Sequence, residues 1–242
     1  MDTPVAEAVA AAQAVGIMRV VTIGIDVPSS QWQVDAARAH DDVYATVAIH
    51  PNEARTADEA AWSASAALAR EAEVVGVGET GLDHYRTSED GWAQQEESFR
   101  RHIAIAKETR KALVIHDREA HNDVLRVLES EGAPDHVVFH CFSGDAEFAQ
   151  RCVARGYVLS FAGNVTFKNA QDLRDAAAVT PLDQMLVETD APFLTPMPYR
   201  GRPNAPYLVP LTVRALAEIT GTDPDRVAAG ASATAARVFG WG

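Results

Sequence analysis

Hydrophobic positions along the chain alternate between two patterns. Short, nearly continuous apolar runs rich in β-branched residues occur at 20–25, 43–49, 74–77, 113–115, 137–139, 158–161 and 186–187. Runs of that kind predict strands buried on both faces. Between them, 31–39, 59–71, 92–111, 120–131 and 146–155 carry apolar residues at helical spacing. Strand alternating with helix predicts parallel strands joined by right-handed crossovers. No Gly/Ser-rich linker or charge block interrupts the alternation, so residues 1–242 read as one domain. The alanine-rich stretch 5–14 precedes the first apolar run and reads as a surface helix. A closed (β/α) barrel needs eight strands and begins with one, whereas this chain offers seven and opens with a helix. An open doubly wound sheet and a barrel whose first strand lies before Met1 both satisfy that count.

Composition narrows the function classes. With 47% hydrophobic and 23% charged residues, the 242-residue chain is able to bury a substantial core. Its net charge of -13 argues against a protein that coats nucleic acid through a broad basic face. It leaves room for an enzyme that grips one phosphate through metal ions and a few local cations. Cys141 and Cys152 are the only cysteines, too few for a disulfide scaffold and in keeping with a reducing cytoplasm. No N-terminal signal pattern is present, and no run approaches the ~20 apolar residues of a spanning helix, so no membrane partner is expected.

The candidate chemistry lies at the ends of the apolar runs. His50, Glu79, His116, His140 and Asp190 each follow one of them. The carboxyl ends of parallel strands meet at one face, where ligands bind. Residues distant in sequence are therefore expected to converge there. Imidazoles mixed with carboxylates suit divalent ions such as Mg²⁺, Mn²⁺ or Zn²⁺.

Four strings carry a resemblance. Gly78-Glu79-Thr80-Gly81-Leu82-Asp83, Val114-Ile115-His116-Asp117-Arg118-Glu119-Ala120, His140-Cys141-Phe142-Ser143-Gly144 and Val187-Glu188-Thr189-Asp190-Ala191-Pro192 resemble signatures of the TatD family of metal-dependent deoxyribonucleases. Ala48-Ile49-His50-Pro51 and Arg200-Gly201-Arg202-Pro203-Asn204 match further stretches of that family, in order along nearly the whole chain. The resemblance implies a TIM-type (β/α) barrel with a two-metal centre. In it Glu79 bridges two ions, His116 and His140 bind one, and Asp190 binds the other. Asp190 and Glu79 are then the catalytic residues, with Asp190 orienting and deprotonating the attacking water. Mg²⁺ is the ion the resemblance favours, and DNA, as single strands or 3′ ends, is the substrate it implies.

One departure stands out. The family begins with a strand bearing His-x-His, and the first histidine here is His40, with no His-x-His anywhere. The expectation is a barrel lacking its first strand, with the ion site of Asp190 short of ligands and activity reduced. Candidate substrate contacts are Arg118, His50, Arg200 and Arg202, with Arg86 and Lys168 as further cations and Tyr85, Phe142 and Phe193 as aromatic options. Two other readings stay open: a metal-dependent hydrolase of another ester or amide, and a non-catalytic protein that keeps metal or partner binding.

Overall fold

The structure is a computed structural model and describes residues 3–241. The chain folds as two compact units, Val21–His140 and a second made of the residues up to Val20 with those from Cys141 onward.

The first unit holds strands β1 (Val20–Ile23, entering at Val21), β2 (Val43–Val47), β3 (Val74–Asp83), β4 (Ala112–Arg118) and β5 (Val137–Phe139), adjacent in chain order. β2–β3, β3–β4 and β4–β5 pair in parallel. Between the strands run α2 (Val27–Ala39), α3 (Glu59–Leu68), α4 (Trp92–Thr109) and α5 (His121–Glu131). Local chemistry sets several starts. Asp26 accepts the Ser29 N–H at 2.7 Å while the Ser29 hydroxyl accepts the Asp26 N–H at 3.0 Å, a capping box opening α2. Asp58 caps α3 through the Ala61 N–H at 2.8 Å. The helices bury their apolar faces on the sheet: Phe99, Ile103, Val124 and Leu128 from the helices and Leu82, Leu113, Ile115 and Phe139 from the strands are all buried.

β3 and β4 correct the sequence reading. The apolar runs stop at Val77 and Ile115, which put Glu79 and His116 beyond the strand ends. The ladder instead shifts register between Val77 and Thr80 and continues to Asp83 opposite Arg118. Glu79 and His116 therefore stand inside paired strands. Two glycines allow this. A Cβ at Gly78 would collide with the Val114 backbone and side chain, and one at Gly81, where φ is +132°, with the His116 carbonyl.

In the second unit, β6 (Val158–Phe161) and β7 (Met185–Val187) pair in parallel. They are accompanied by α1 (Val5–Gln13), α6 (Ala146–Val153), α7 (Gln171–Val179), α8 (Val209–Thr220) and α9 (Pro224–Phe239). The Phe142 ring packs on those of Phe148 and Phe161, 5.6 and 5.8 Å away, and Leu159 and Met185 are buried in the same unit. α1 has only Ala12 buried and its other residues exposed or half-buried, as expected for a surface helix. α7, α8 and α9 add helical structure where the strand-and-helix pattern had assigned no element. Among the described residues, no helix is long and apolar enough to cross a membrane.

Candidate metal centre

Four titratable side chains converge in the first unit. Glu79 projects from β3, His116 from β4, His50 from the segment after β2, and His140 follows β5 directly. Glu79 Oε1 accepts a hydrogen bond from His116 Nδ1 at 2.7 Å, while His50 Nε2 and His140 Nε2 stand 3.7 and 3.8 Å from the same oxygen. The His140 N–H donates to the Ile115 carbonyl at 2.9 Å, which ties the end of β5 to β4.

A fifth residue, Asp83, completes the arrangement. It is fully buried and its Oδ2 accepts from His116 Nε2 at 3.1 Å and from Asn52 Nδ2 at 3.2 Å. Its Oδ1 accepts the N–H groups of Tyr85 and Arg86 at 3.0 and 2.7 Å. Sequence reasoning quoted Asp83 within its motif and assigned it no role. The signal was there: side chains alternate along a strand, so Glu79, Gly81 and Asp83 share one face. His102 was also missed. It is a completely buried imidazole on α4 whose Nε2 accepts the Ile49 N–H at 3.2 Å. That leaves the ring proton on Nδ1, 2.8 Å from Thr80 Oγ1. Ile49 and Thr80 adjoin His50 and Glu79, so one ring holds the backbone beneath two site residues.

The protonation states differ sharply. Burial pushes the Glu79 carboxyl up, but the charges of His140, His116 and His50 and the His116 hydrogen bond outweigh it and hold its pKa at about 2. Burial disfavours a charge on His116, yet hydrogen bonds to Asp83 and Glu79 win and raise it to about 9. For His50, burial dominates and lowers the pKa to about 4 despite the nearby Glu79. Asp83 is held well below the usual carboxylate range, because its hydrogen bonds from His116, Arg86 and Asn52 overcome desolvation.

This donor set fits a divalent ion. The ligand atoms of His50, Glu79 and His116 all lie within 4.8 Å of one another. Donors each about 2.0–2.2 Å from a common ion lie a similar few ångströms apart. His50, however, is a poor ligand. Its Nδ1 accepts the Asn52 N–H at 3.1 Å, so the neutral ring carries its proton on Nε2 and presents a donor. His140, whose Nε2 stands 3.8 Å from the same Glu79 oxygen, could serve beside Glu79 and His116, and Asp83 stands behind the His116 ring where a carboxylate would orient a metal-binding imidazole.

The remaining expected residues fall as follows. Arg118 ends β4 and lies over the Tyr85 ring at 4.0 Å. Asp190, Arg200 and Arg202 belong to the second unit. Asp190 follows β7 with φ of 54°, a left-handed conformation uncommon outside glycine. Arg200 lies over Phe167 at 4.2 Å and Arg202 over Tyr199 at 5.7 Å, while Phe193 is 68% exposed. Phe142 is buried among aromatic rings and is a packing residue.

The chain is similar to several known proteins. The family model described as "TatD related DNase" matches residues 1–240. An uncharacterized metal-dependent hydrolase TatD of Mycobacterium tuberculosis is 47% identical, over 96% of this chain and 89% of that protein. A protein of Cronobacter sakazakii named 3′-5′ ssDNA/RNA exonuclease TatD is 33% identical, over 96% of this chain and 90% of its own length. Among solved structures, the TatD homologue YjjV of Escherichia coli K12 superposes with a TM-score of 0.91 at 25% identity, covering 98% of this chain and 92% of that one. The seven parallel strands and their helices thus form an α/β fold of the TIM type.

Proposed function

The chain belongs to the TatD family and is a metal-dependent hydrolase acting on ester bonds, and on that premise we propose that it is a 3′→5′ exonuclease that cleaves phosphodiester bonds in single-stranded DNA, with Mg²⁺ as its ion, in the cytoplasm. The observation that carries this reading is the convergence of Glu79, His116 and His140 on one carboxylate oxygen, beside a neutral His50 whose Nε2–H faces the same place.

Glu79, His116 and His140 would hold the ion, and Asp83 keeps the His116 ring in register. A bound divalent ion supplies Lewis acidity: it lowers the pKa of water and offsets the charge of a phosphodiester. His50 contributes a hydrogen-bond donor to a phosphate oxygen, a role open to it only while its Nδ1 is held by Asn52. Arg118, whose guanidinium lies over the Tyr85 ring at 4.0 Å, adds a charge that counters the backbone. Asp190 is assigned the orientation and deprotonation of the attacking water, and Arg200 and Arg202 contacts to the substrate, on the strength of the motifs that contain them.

The test is nucleotide release from 3′-labelled single-stranded DNA and RNA with Mg²⁺, Mn²⁺ or Zn²⁺ titrated into chelator-treated protein. The expected result is ion-dependent release from the 3′ end, falling by about 10²–10³-fold in Glu79→Gln and Asp190→Asn. Hydrolysis of simple carboxylic esters or amides with no action on either nucleic acid would replace this reading by another hydrolase. Ion binding without turnover of any of them would leave a binding protein.

A further inference from the structure

A second feature of the first unit adjoins the residues described above. A cavity of about 210 Å³ opens between the 3-10 turn Pro51–Glu53 and the loop after β3, with Asn52, Arg55, Arg86, Thr87 and Ser88 among its walls. It is joined to the metal centre by two rigid links. The Asn52 amide is used at both ends: Nδ2 donates to Asp83 Oδ2 at 3.2 Å, and Oδ1 accepts the Thr87 hydroxyl at 3.0 Å. The Arg86 N–H donates to the other oxygen of Asp83 at 2.7 Å. One buried carboxylate therefore sets both the His116 ring on one side and the cavity wall on the other.

The charges of the cavity are unequal in a telling way. Arg55 is paired with Asp90 at 3.0 Å, and Asp90 also accepts the Ser88 hydroxyl at 2.5 Å. Arg86 makes no ion pair and no side-chain hydrogen bond with any described residue, although the chain carries a net charge of -13, whereas Arg55 across the same cavity is matched to a carboxylate. With the Thr87 and Ser88 hydroxyls already donating to Asn52 and Asp90, the lining offers the Arg86 guanidinium as its one uncompensated positive charge. A singly charged oxyanion meets that demand, and a guanidinium is suited to two of its oxygens at once. A phosphodiester is such an anion.

We propose that this cavity is a second phosphate subsite, which takes the phosphodiester next to the one being cleaved. The assignment rests on the nuclease reading of the metal centre. It explains how an acidic protein holds a polyanion: the strand is gripped at one further phosphate by Arg86, without a basic surface and without reading bases.

The test is direct binding, apart from catalysis. Fluorescein-labelled dT5 is titrated into the full chain in EDTA, by anisotropy at several NaCl concentrations. Arg86→Ala is expected to weaken binding about tenfold and to flatten the slope of log affinity against log salt by about 0.7, the loss of one phosphate contact on a single strand. Arg86→Lys should keep the slope. Arg86 is exposed, and equal thermal midpoints for the variants establish that each is folded. Unchanged affinity and slope in Arg86→Ala would overturn the subsite. So would competition by inorganic phosphate at lower concentration than dimethyl phosphate, which would mark a site for terminal phosphate. Cleavage of dT5 with added Mg²⁺ is scored separately. Loss of cleavage with Arg86-dependent binding intact retracts the nuclease reading and keeps the diester site.

Discussion

Among single residues, His50 and His116 are the instructive pair: their rings are 4.6 Å apart, yet they are driven to opposite protonation states. His116 has a carboxylate on each nitrogen and is held as an imidazolium to about pH 9, whereas His50 has a backbone N–H on Nδ1 and is neutral down to about pH 4. An ion entering beside Glu79 must displace a proton from His116. Apparent ion affinity is therefore expected to rise with pH, by up to tenfold per unit, and to level off near pH 9. Calorimetric titration of the chelator-treated protein across pH 6–9 checks this, and a flat profile would exclude the displaced proton. Without the ion the sign reverses. A raised folded pKa gives stability that is complete below the unfolded value of 6.5 and is lost as pH climbs through about 9. Asp83→Asn tests the orienting carboxylate. It removes no ligand, and it should weaken ion binding by about 10–100-fold while the protein stays folded. The same affinity as the parent would reduce Asp83 to a loop anchor.

At the level of elements, β3 and β4 matter most, because their extension past the apolar runs carries Glu79 and His116 into hydrogen-bonded strands. α4 supports them through His102. Burial lowers the pKa of that imidazole to about 3, so it stays neutral in the folded state. The unfolded chain takes up a proton near pH 6.5 and the folded one does not until about pH 3. The stability from the neutral ring is present above 6.5 and is lost as pH falls through that window, at up to ~1.4 kcal/mol per unit. Urea midpoints at pH 7, 6 and 5 should fall more steeply for the parent than for His102→Leu. That variant should also start about 1–3 kcal/mol lower, since the Ile49 N–H and Thr80 hydroxyl lose their partner. Parallel pH profiles would mean that the ring is already charged in the folded state.

For the molecule as a whole, ion binding and folding would be linked, because the proposed ligands Glu79, His116 and His140 come from three separate stretches of sequence that are apart in an unfolded chain. An ion that binds only the folded state at a hundredfold excess over its Kd adds about 2.7 kcal/mol. Mg²⁺ or Mn²⁺ should therefore raise the thermal midpoint of the parent and leave that of Glu79→Ala almost unmoved. An equal rise in both would place the ion elsewhere. The acidic surface belongs to this scale too. Arg38, Arg55, Arg70, Arg100, Arg101 and Arg126 are committed to carboxylates. Arg86 and Arg118, which have no such partner among the described residues, stand beside the metal centre.

Local pattern alone determined the alternation of strand and helix, and the motif order brought Glu79, His116 and His140 forward as candidate site residues. Both are written in short stretches: burial on two faces makes a strand uniformly apolar, and a polar residue after such a run is conspicuous. The register shift between Val77 and Thr80, the part played by Asp83 and the buried His102 were decided by contacts between residues 22 to 53 positions apart. No local pattern reports such a partner. A polar residue inside a strand or on a helix looks the same in sequence whether it faces water or a buried imidazole, and only the packed structure supplies the neighbour that fixes its charge.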